Sequence, residues 1–187
     1  MKRREILLIG GATLIAGCST STGGGSSDPA AKRRALDAEV DGAISQLLAA
    51  SPEAGELAGR AQGVLVFPKV VTAGFVIGGS YGQGALRKRG VTVGYYSVSA
   101  GSVGLLAGAE SKAMYLLFMT QEAMQKFESS PGWTAGADAS VSLAQMSADA
   151  RISTETAKAP IIGFVRTNAG FMANLSIDGT KFNKIDL

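Results

Sequence analysis

A serine flanked by glycines is the pattern in this chain that most resembles a catalytic nucleophile. The segment Gly78-Gly79-Ser80-Tyr81-Gly82 fits G-x-S-x-G, which in hydrolases places the serine on a sharp turn between a strand and a helix. Such a serine needs a base to accept its proton, and the 187 residues contain no histidine. The residues around Ser80 also continue a strand pattern. We therefore expect no catalytic residue and no enzyme, and we interpret the glycines as a means of bending a strand.

Metal and cofactor chemistry also lacks candidate ligands. One cysteine and no histidine cannot assemble the usual zinc, copper or haem ligand sets. Asp37, Glu39 and Asp41 are the densest carboxylate group, but a helix turns Glu39 away from the other two, which favours a solvated helix face. The segment Gly82-Gln83-Gly84 lacks the third glycine of a dinucleotide fingerprint. We expect no metal and no cofactor.

The surroundings of the single cysteine are typical of lipid attachment. Basic residues at positions 2–4 precede an apolar stretch of about 11 residues, whereas a membrane-spanning helix needs about 20. The stretch ends in Leu14-Ile15-Ala16-Gly17-Cys18, which resembles the bacterial lipobox. The sequence thus predicts a signal peptide over residues 1–17 and a fatty-acylated (palmitate-type) Cys18. Ser19 in the next position favours the outer membrane of a bacterial envelope, on the side that faces the periplasm.

The remainder divides into a linker and one domain. Ser, Thr and Gly alone fill residues 19–27, so residues 18–27 are predicted to be the lipidated cysteine and a flexible tether, and residues 28–187 a single domain. The formal net charge of +3 depends on the signal peptide. Without Lys2, Arg3, Arg4 and Glu5, 15 basic and 14 acidic residues remain, a net charge of +1. This balance argues against a nucleic-acid partner.

Two basic clusters are candidate contacts for anionic lipid. Lys32, Arg33 and Arg34 lie at the start of the first predicted helix, and Arg87, Lys88 and Arg89 at a predicted hairpin turn. Near an anionic membrane each such side chain contributes about 1 kcal/mol. The alternative is solvated charge that protects a helix end and a turn from aggregation.

The periodicity predicts helices first and strands afterwards. Asp28-Pro29 begins an amphipathic helix with apolar residues at 36, 40, 44, 47 and 48, Ser51-Pro52 begins a second helix that Gly63 caps, and a third covers 121–129. Strands are predicted at 64–67, 72–86, 91–98, 103–109, 114–119, 137–143, 161–166 and 171–177, with a tight turn at Asp178-Gly179. The predicted class is α+β: a curved, barrel-like antiparallel sheet with an N-terminal amphipathic helix and one or two further helices.

From about residue 30 to 187 the sequence resembles the SYLF domain. The resemblance rests on four segments: Gly63-Val64-Leu65-Val66-Phe67-Pro68, residues 73–84 with their glycines, Ser102-Val103-Gly104 with Gly108-Ala109, and Asp138-Ala139-Ser140-Val141. It implies binding of phosphoinositides or other anionic lipids through an N-terminal helix, here residues 32–48, and nearby basic residues.

Ala169 and Asn174 depart from the family pattern of a lysine and a glycine in the last hairpin. In a bacterial envelope, cardiolipin or phosphatidylglycerol would replace phosphoinositides. The alternative function is a periplasmic scaffold that binds protein without specific lipid recognition; no particular protein partner is indicated.

Overall fold

A computed structural model of the chain describes residues 28–74, 77–103, 108–144, 152–167, 170–172 and 176–187. The predicted signal peptide, Cys18 and the predicted tether lie outside the described residues.

The helices begin where capping residues predict. The first, α1 (Pro29–Ala50), starts after Asp28, whose carboxylate accepts a hydrogen bond from the backbone N–H of Ala30 at 3.0 Å. Ser51 separates it from α2 (Pro52–Arg60), because a residue before proline avoids helical geometry. Thr120 caps α3 (Gln121–Ser129), which confirms that prediction. A short α4 (Thr154–Ala157) was not predicted.

Nine strands form one sheet in the part of the chain that the structure describes. They are β1 (Gly63–Gly74), β2 (Ile77–Lys88), β3 (Val91–Val103), β4 (Gly108–Phe118), β5 (Gly132–Thr134), β6 (Ser142–Leu143), β7 (Ile161–Thr167), β8 (Gly170–Phe171) and β9 (Lys181–Ile185). The order is β5-β9-β3-β2-β1-β4-β7-β6, with β8 paired to β7. Only the β6–β7 pair is parallel among these described strands, so the sheet is mixed.

The glycine-rich segment is two strands rather than one. A single strand over 72–86 is wrong: the chain reverses after Gly74, which pairs with Gly78, and β2 starts at Ile77. A hairpin preserves the period of two on both sides of its turn, so the alternation carries no signal of the reversal. Gly63 likewise begins β1 instead of capping α2.

Three other strand predictions are also corrected. The range 103–109 contains the end of β3 and the start of β4. Within the range 137–143 only Ser142–Leu143 form a strand, because residues 136–138 are a turn in which the Asp138 carboxylate accepts the backbone N–H of Thr134. In the last hairpin β8 ends at Phe171, and residues 173–175 lie outside the described part.

The sheet has an apolar cluster on each face, and it curls around the inner one. Strands from both sides of the sheet, β9 through Phe182 and β7 through Val165, contribute to the same inner cluster, together with α3. The outer cluster joins α1 and α2 to the convex face. Its buried members are Leu36, Val40, Ala43, Leu47, Ala54, Leu57, Val66, Ala85, Tyr115, Leu117, Ala144, Ile162 and Phe164. The α+β class with a curled, half-barrel sheet is confirmed.

A polar clamp holds the side of α1 to β2 and β3. Arg87 Nη2 lies 2.6 Å from Asp41 Oδ1 and 3.2 Å from the backbone oxygen of Asp37. The Asp37 carboxylate accepts hydrogen bonds from Thr92 Oγ1 at 2.8 Å and Tyr95 Oη at 3.0 Å. Burial raises the pKa of Tyr95 above its ordinary value, and the bond to Asp37 raises it further, so Tyr95 remains a donor at neutral pH. The clamp fixes the rotation of α1 about its axis.

Gly84 permits a close approach between β1 and β2. The register between them shifts at Phe67 and Pro68, where β1 bulges toward β2. A Cβ added at Gly84 would overlap the backbone oxygen of Val66 and lie 2.6 Å from Phe67 Cδ1. At Gly79 on the same strand, the nearest atom to an added Cβ is 3.9 Å away.

We expect Gly84→Ala to lower the free energy of unfolding by about 1–3 kcal/mol, because the new methyl group forces the strands apart. Gly79→Ala is the matched control and should change it by less than about 1 kcal/mol. Urea unfolding followed by circular dichroism measures both. Equal effects of the two substitutions would contradict the role given to the bulge.

We expect Asp37→Ala to lower the free energy of unfolding by about 2 kcal/mol, because Tyr95 and Thr92 lose a charged acceptor. Glu39→Ala, two residues along the same helix, removes an exposed carboxylate and should stay within about 0.5 kcal/mol of the native chain. Urea titrations of the two variants test the clamp. An equal loss of unfolding free energy in Glu39→Ala and Asp37→Ala would refute it.

Candidate functional site

The first basic cluster occupies the end of α1 where positive charge is least favourable. Lys32, Arg33 and Arg34 are exposed on the opening turns of α1, whose first turn holds no acidic residue. The N-terminal end of a helix dipole is positive, so three cations there destabilise the free helix. Asp28 offsets part of this repulsion through a 3.7 Å contact with Arg34, in which both side chains are largely exposed. An arrangement that works against local stability is typical of a binding surface.

The three cations do not point to the same place. Lys32 lines a groove between α1 and the strands β1 and β2, whereas Arg33 lines a second depression with Asp37 and Lys184. The separation follows from the turn of about 100° per helical residue. These cations were predicted to form one cluster, but they lie on two sides of α1.

The groove beside Lys32, here called the α1 groove, is the clearest candidate site. It has a volume of about 470 Å³. Its lining residues are Lys32, Ala35, Leu36, Glu39, Lys69, Val71, Tyr81, Gly82, Gln83 and Leu187. Lys32 and Lys69 outnumber the single acidic side chain, and within the described residues neither lysine makes an ion pair. Gln83 donates a hydrogen bond to Tyr81 Oη at 3.3 Å. The groove thus combines these polar groups and the two lysines with apolar side chains such as Leu36 and Val71.

Lys69 and Tyr81 belong to this groove and were not predicted as site residues. Lys69 follows the bulge at Pro68, and the register shift sets which face of the sheet its side chain occupies. Simple alternation along β1 cannot predict that face. The placement of Tyr81 beside α1 depends on the hairpin reversal that the sequence pattern concealed.

The second predicted cluster does not act as a unit. Arg87 is engaged in the clamp, and its side chain is only 11% exposed. Lys88 Nζ lies 2.6 Å from Glu128 Oε2 on α3. Arg89 is exposed at the turn between β2 and β3, with a positive φ of 50° ahead of Gly90, and it makes no ion pair among the described residues. Of this cluster, Arg89 alone has a charge that is both exposed and unpaired in the described part of the chain.

Groups that could support chemistry have other roles. Ser80 lies inside β2 and shares a 2.7 Å hydrogen bond with Thr72, so the glycine-flanked serine is not on a strand-to-helix turn. Asp37 and Asp41 face Arg87, while Glu39 lines the α1 groove. Across the described residues, no cluster of three or more candidate ligands could hold a metal ion. No helix in the same part of the chain is long and apolar enough to cross a bilayer.

Comparison with known families finds a match in the second half of the chain. Residues 99–186 match the family described as "Ysc84: Las17-binding protein actin regulator". No curated protein matches the chain significantly. The matched segment runs from the second half of β3 through β9, so α1 and the glycine-rich hairpin precede it. Over these residues the chain is similar to Ysc84 (SYLF) domain proteins, and the predicted resemblance is confirmed.

Proposed function

We propose that the domain binds anionic lipid surfaces through the opening turns of α1 and the α1 groove, on a chain anchored by an acylated Cys18. The observation that carries the proposal is the group of exposed cations at the N-terminal end of α1, next to Lys69. The SYLF family supports a lipid-binding or actin-regulator-like domain and is not a known enzyme family. A non-catalytic binding function is consistent with the absence of histidine.

Electrostatics explains why the ligand would be an anion. A phosphate at the beginning of α1 interacts favourably with the helix dipole and offsets the mutual repulsion of Lys32, Arg33 and Arg34. Each cation near an anionic membrane contributes about 1 kcal/mol. Arginine can bind phosphate with two parallel hydrogen bonds, so Arg33 and Arg34 suit headgroups better than lysine does. Cardiolipin and phosphatidylglycerol supply such phosphates in a bacterial envelope.

The anchor and the surface would cooperate. A chain acylated at Cys18 and joined by residues 19–27 would keep the domain at high local concentration beside the bilayer. Under that condition a headgroup site of low intrinsic affinity is still occupied. The anchor would hold the protein in the bacterial envelope, at the outer membrane on the side that faces the periplasm.

A protein-binding function is the second candidate. The description of the matched family names a protein partner, Las17, and actin regulation. In that case the same domain would act as an envelope scaffold, and lipid affinity would be incidental.

Vesicle flotation with the chain from Ser19 onward separates the two candidates. This form lacks the signal and the anchor but keeps every described helix and strand. We expect it to float with phosphatidylglycerol or cardiolipin vesicles at low salt. The triple change Lys32→Glu, Arg33→Glu and Arg34→Glu should reduce the affinity by more than about tenfold, since three contacts of about 1 kcal/mol are lost.

The matched control is the triple change Arg60→Glu, Lys158→Glu and Lys181→Glu, which reverses three exposed cations elsewhere. Both triple variants shift the net charge from +1 to −5, so a difference between them reports the position of the charges rather than their sum. Equal losses would refute a specific α1 surface. Electrostatic attraction to anionic vesicles is strongest at low salt. If the native sequence does not float under that condition, lipid binding is refuted and the scaffold function remains.

A further inference from the structure

The convex face of the sheet is only partly covered by α1. Beyond the start of that helix, β1 and β2 expose three apolar side chains: Ile77 at 76%, Tyr81 at 55% and Val71 at 38% of their surfaces. Val71 and Tyr81 are direct cross-strand partners. Ile77 and Tyr81 alternate in phase with Ala85, which is buried against α1, so all three exposed side chains share the convex face. We call Val71, Ile77 and Tyr81 the convex patch.

The patch is bordered by unpaired positive charge. Val71 and Tyr81 line the α1 groove, which also contains Lys32, Lys69 and the single acidic side chain of Glu39. Apolar side chains beside cations match the interface of an anionic bilayer, where acyl chains lie beneath phosphates. Tyrosine favours this depth because its ring is apolar and its hydroxyl is polar.

Two valines form a second, smaller exposed apolar surface. Val91 is 64% exposed and Val93 46% exposed, at the opposite end of the β2–β3 hairpin from Ile77. They line a depression that contains the carboxylates of Asp37 and Asp186 together with the cations Arg33, Arg87 and Lys184. Charge alone does not separate the two surfaces, and the convex patch is preferred because it exposes three apolar side chains, one of them a tyrosine.

The position of the N-terminal segment is compatible with this orientation. α1 begins at Pro29, less than one turn before Lys32, which borders the convex patch through the α1 groove. Ten residues, 19–28, separate Pro29 from Cys18, and the connection spans at most about 40 Å when fully extended. An anchor at Cys18 would therefore keep the start of α1, and the convex patch beside it, within that distance of the bilayer.

We infer that the convex patch inserts into the interfacial layer of an anionic bilayer while Lys32 and Lys69 contact its phosphates. This inference rests on the proposed lipid binding and adds an apolar contact made by the sheet. It orients the domain with Ile77 toward the membrane. The turn at Arg89 and Gly90 lies about 40 Å away along the hairpin, by the rise of about 3.3 Å per strand residue.

A single-thiol labelling experiment tests the insertion. The chain from Ser19 contains no cysteine, so Ile77→Cys and Val91→Cys each provide one thiol for a nitrobenzoxadiazole fluorophore. With vesicles of phosphatidylglycerol and phosphatidylcholine, we expect the label at position 77 to brighten several-fold. Lipids that carry a nitroxide on the acyl chain should quench it. The label at position 91 should stay unchanged.

Unlabelled variants supply an independent readout. Ile77→Ser should weaken flotation about tenfold, equivalent to about 1.4 kcal/mol, while Val91→Ser should leave it unchanged. Both side chains are exposed, so both variants should keep the native unfolding midpoint.

Normal flotation with no fluorescence change of the label at position 77 would overturn insertion and leave lipid binding intact. A label that brightens with protein concentration in the absence of vesicles would indicate a second copy on the patch and also overturn the inference. Failure of the native sequence to float would refute both proposals.

Discussion

The burial of the apolar side of α1 against the sheet limits which surfaces of this domain can bind a partner. Leu36, Val40, Ala43 and Leu47 are at most 9% exposed, and they pack on the convex face of the sheet. Burying a leucine or valine side chain contributes about 1.5–3 kcal/mol, so lifting α1 from the sheet would cost several kcal/mol before any lipid contact was made. An amphipathic helix bound to a membrane uses its apolar face, but here the sheet already occupies that face. In the proposed membrane-bound state, the docked helix would therefore contact lipid with its polar side and its first turns.

The polar clamp determines which side that is. Because Arg87, Thr92 and Tyr95 hold Asp37 and Asp41, the helix cannot rotate about its axis without breaking charged hydrogen bonds. Lys32 consequently stays over β1 and β2, beside the exposed part of the convex face. The clamp also explains why Arg87 is a poor lipid ligand: a headgroup would have to compete with two carboxylates already in place. Sequence alone shows three consecutive cations and cannot show that one of them has partners about fifty residues earlier.

The elements specified by local chemistry could be predicted, and those specified by pairing could not. Asp28, Ser51 and Thr120 each cap the helix that follows, because a cap acts within three residues. The hairpin between Gly74 and Ile77 depends on contact between strands, and a period of two is the same for one long strand and for two short ones. The error affected the site as well as the fold. With a single strand over 72–86, Val71 and Tyr81 would lie far apart, whereas they are paired neighbours and line one groove. Lys69 was missed for a related reason, since a bulge reverses the alternation that assigns its face.

The glycines connect these observations. Gly82 and Gly84 allow β1 to approach β2 at the bulge, where an added Cβ on Gly82 would lie 2.7 Å from the backbone oxygen of Lys69. Because these glycines have no side chains, this part of the β1–β2 hairpin has little apolar area. A longer α1 that covered it would therefore bury little apolar surface. Exposed apolar side chains there are few, which limits the hydrophobic gain from inserting them into a bilayer. An apolar contact of that size is weak in free solution. On the proposed acylated chain it would become effective, because the cations beside it and the tether would hold the domain at the surface and each additional contact would be made at high local concentration.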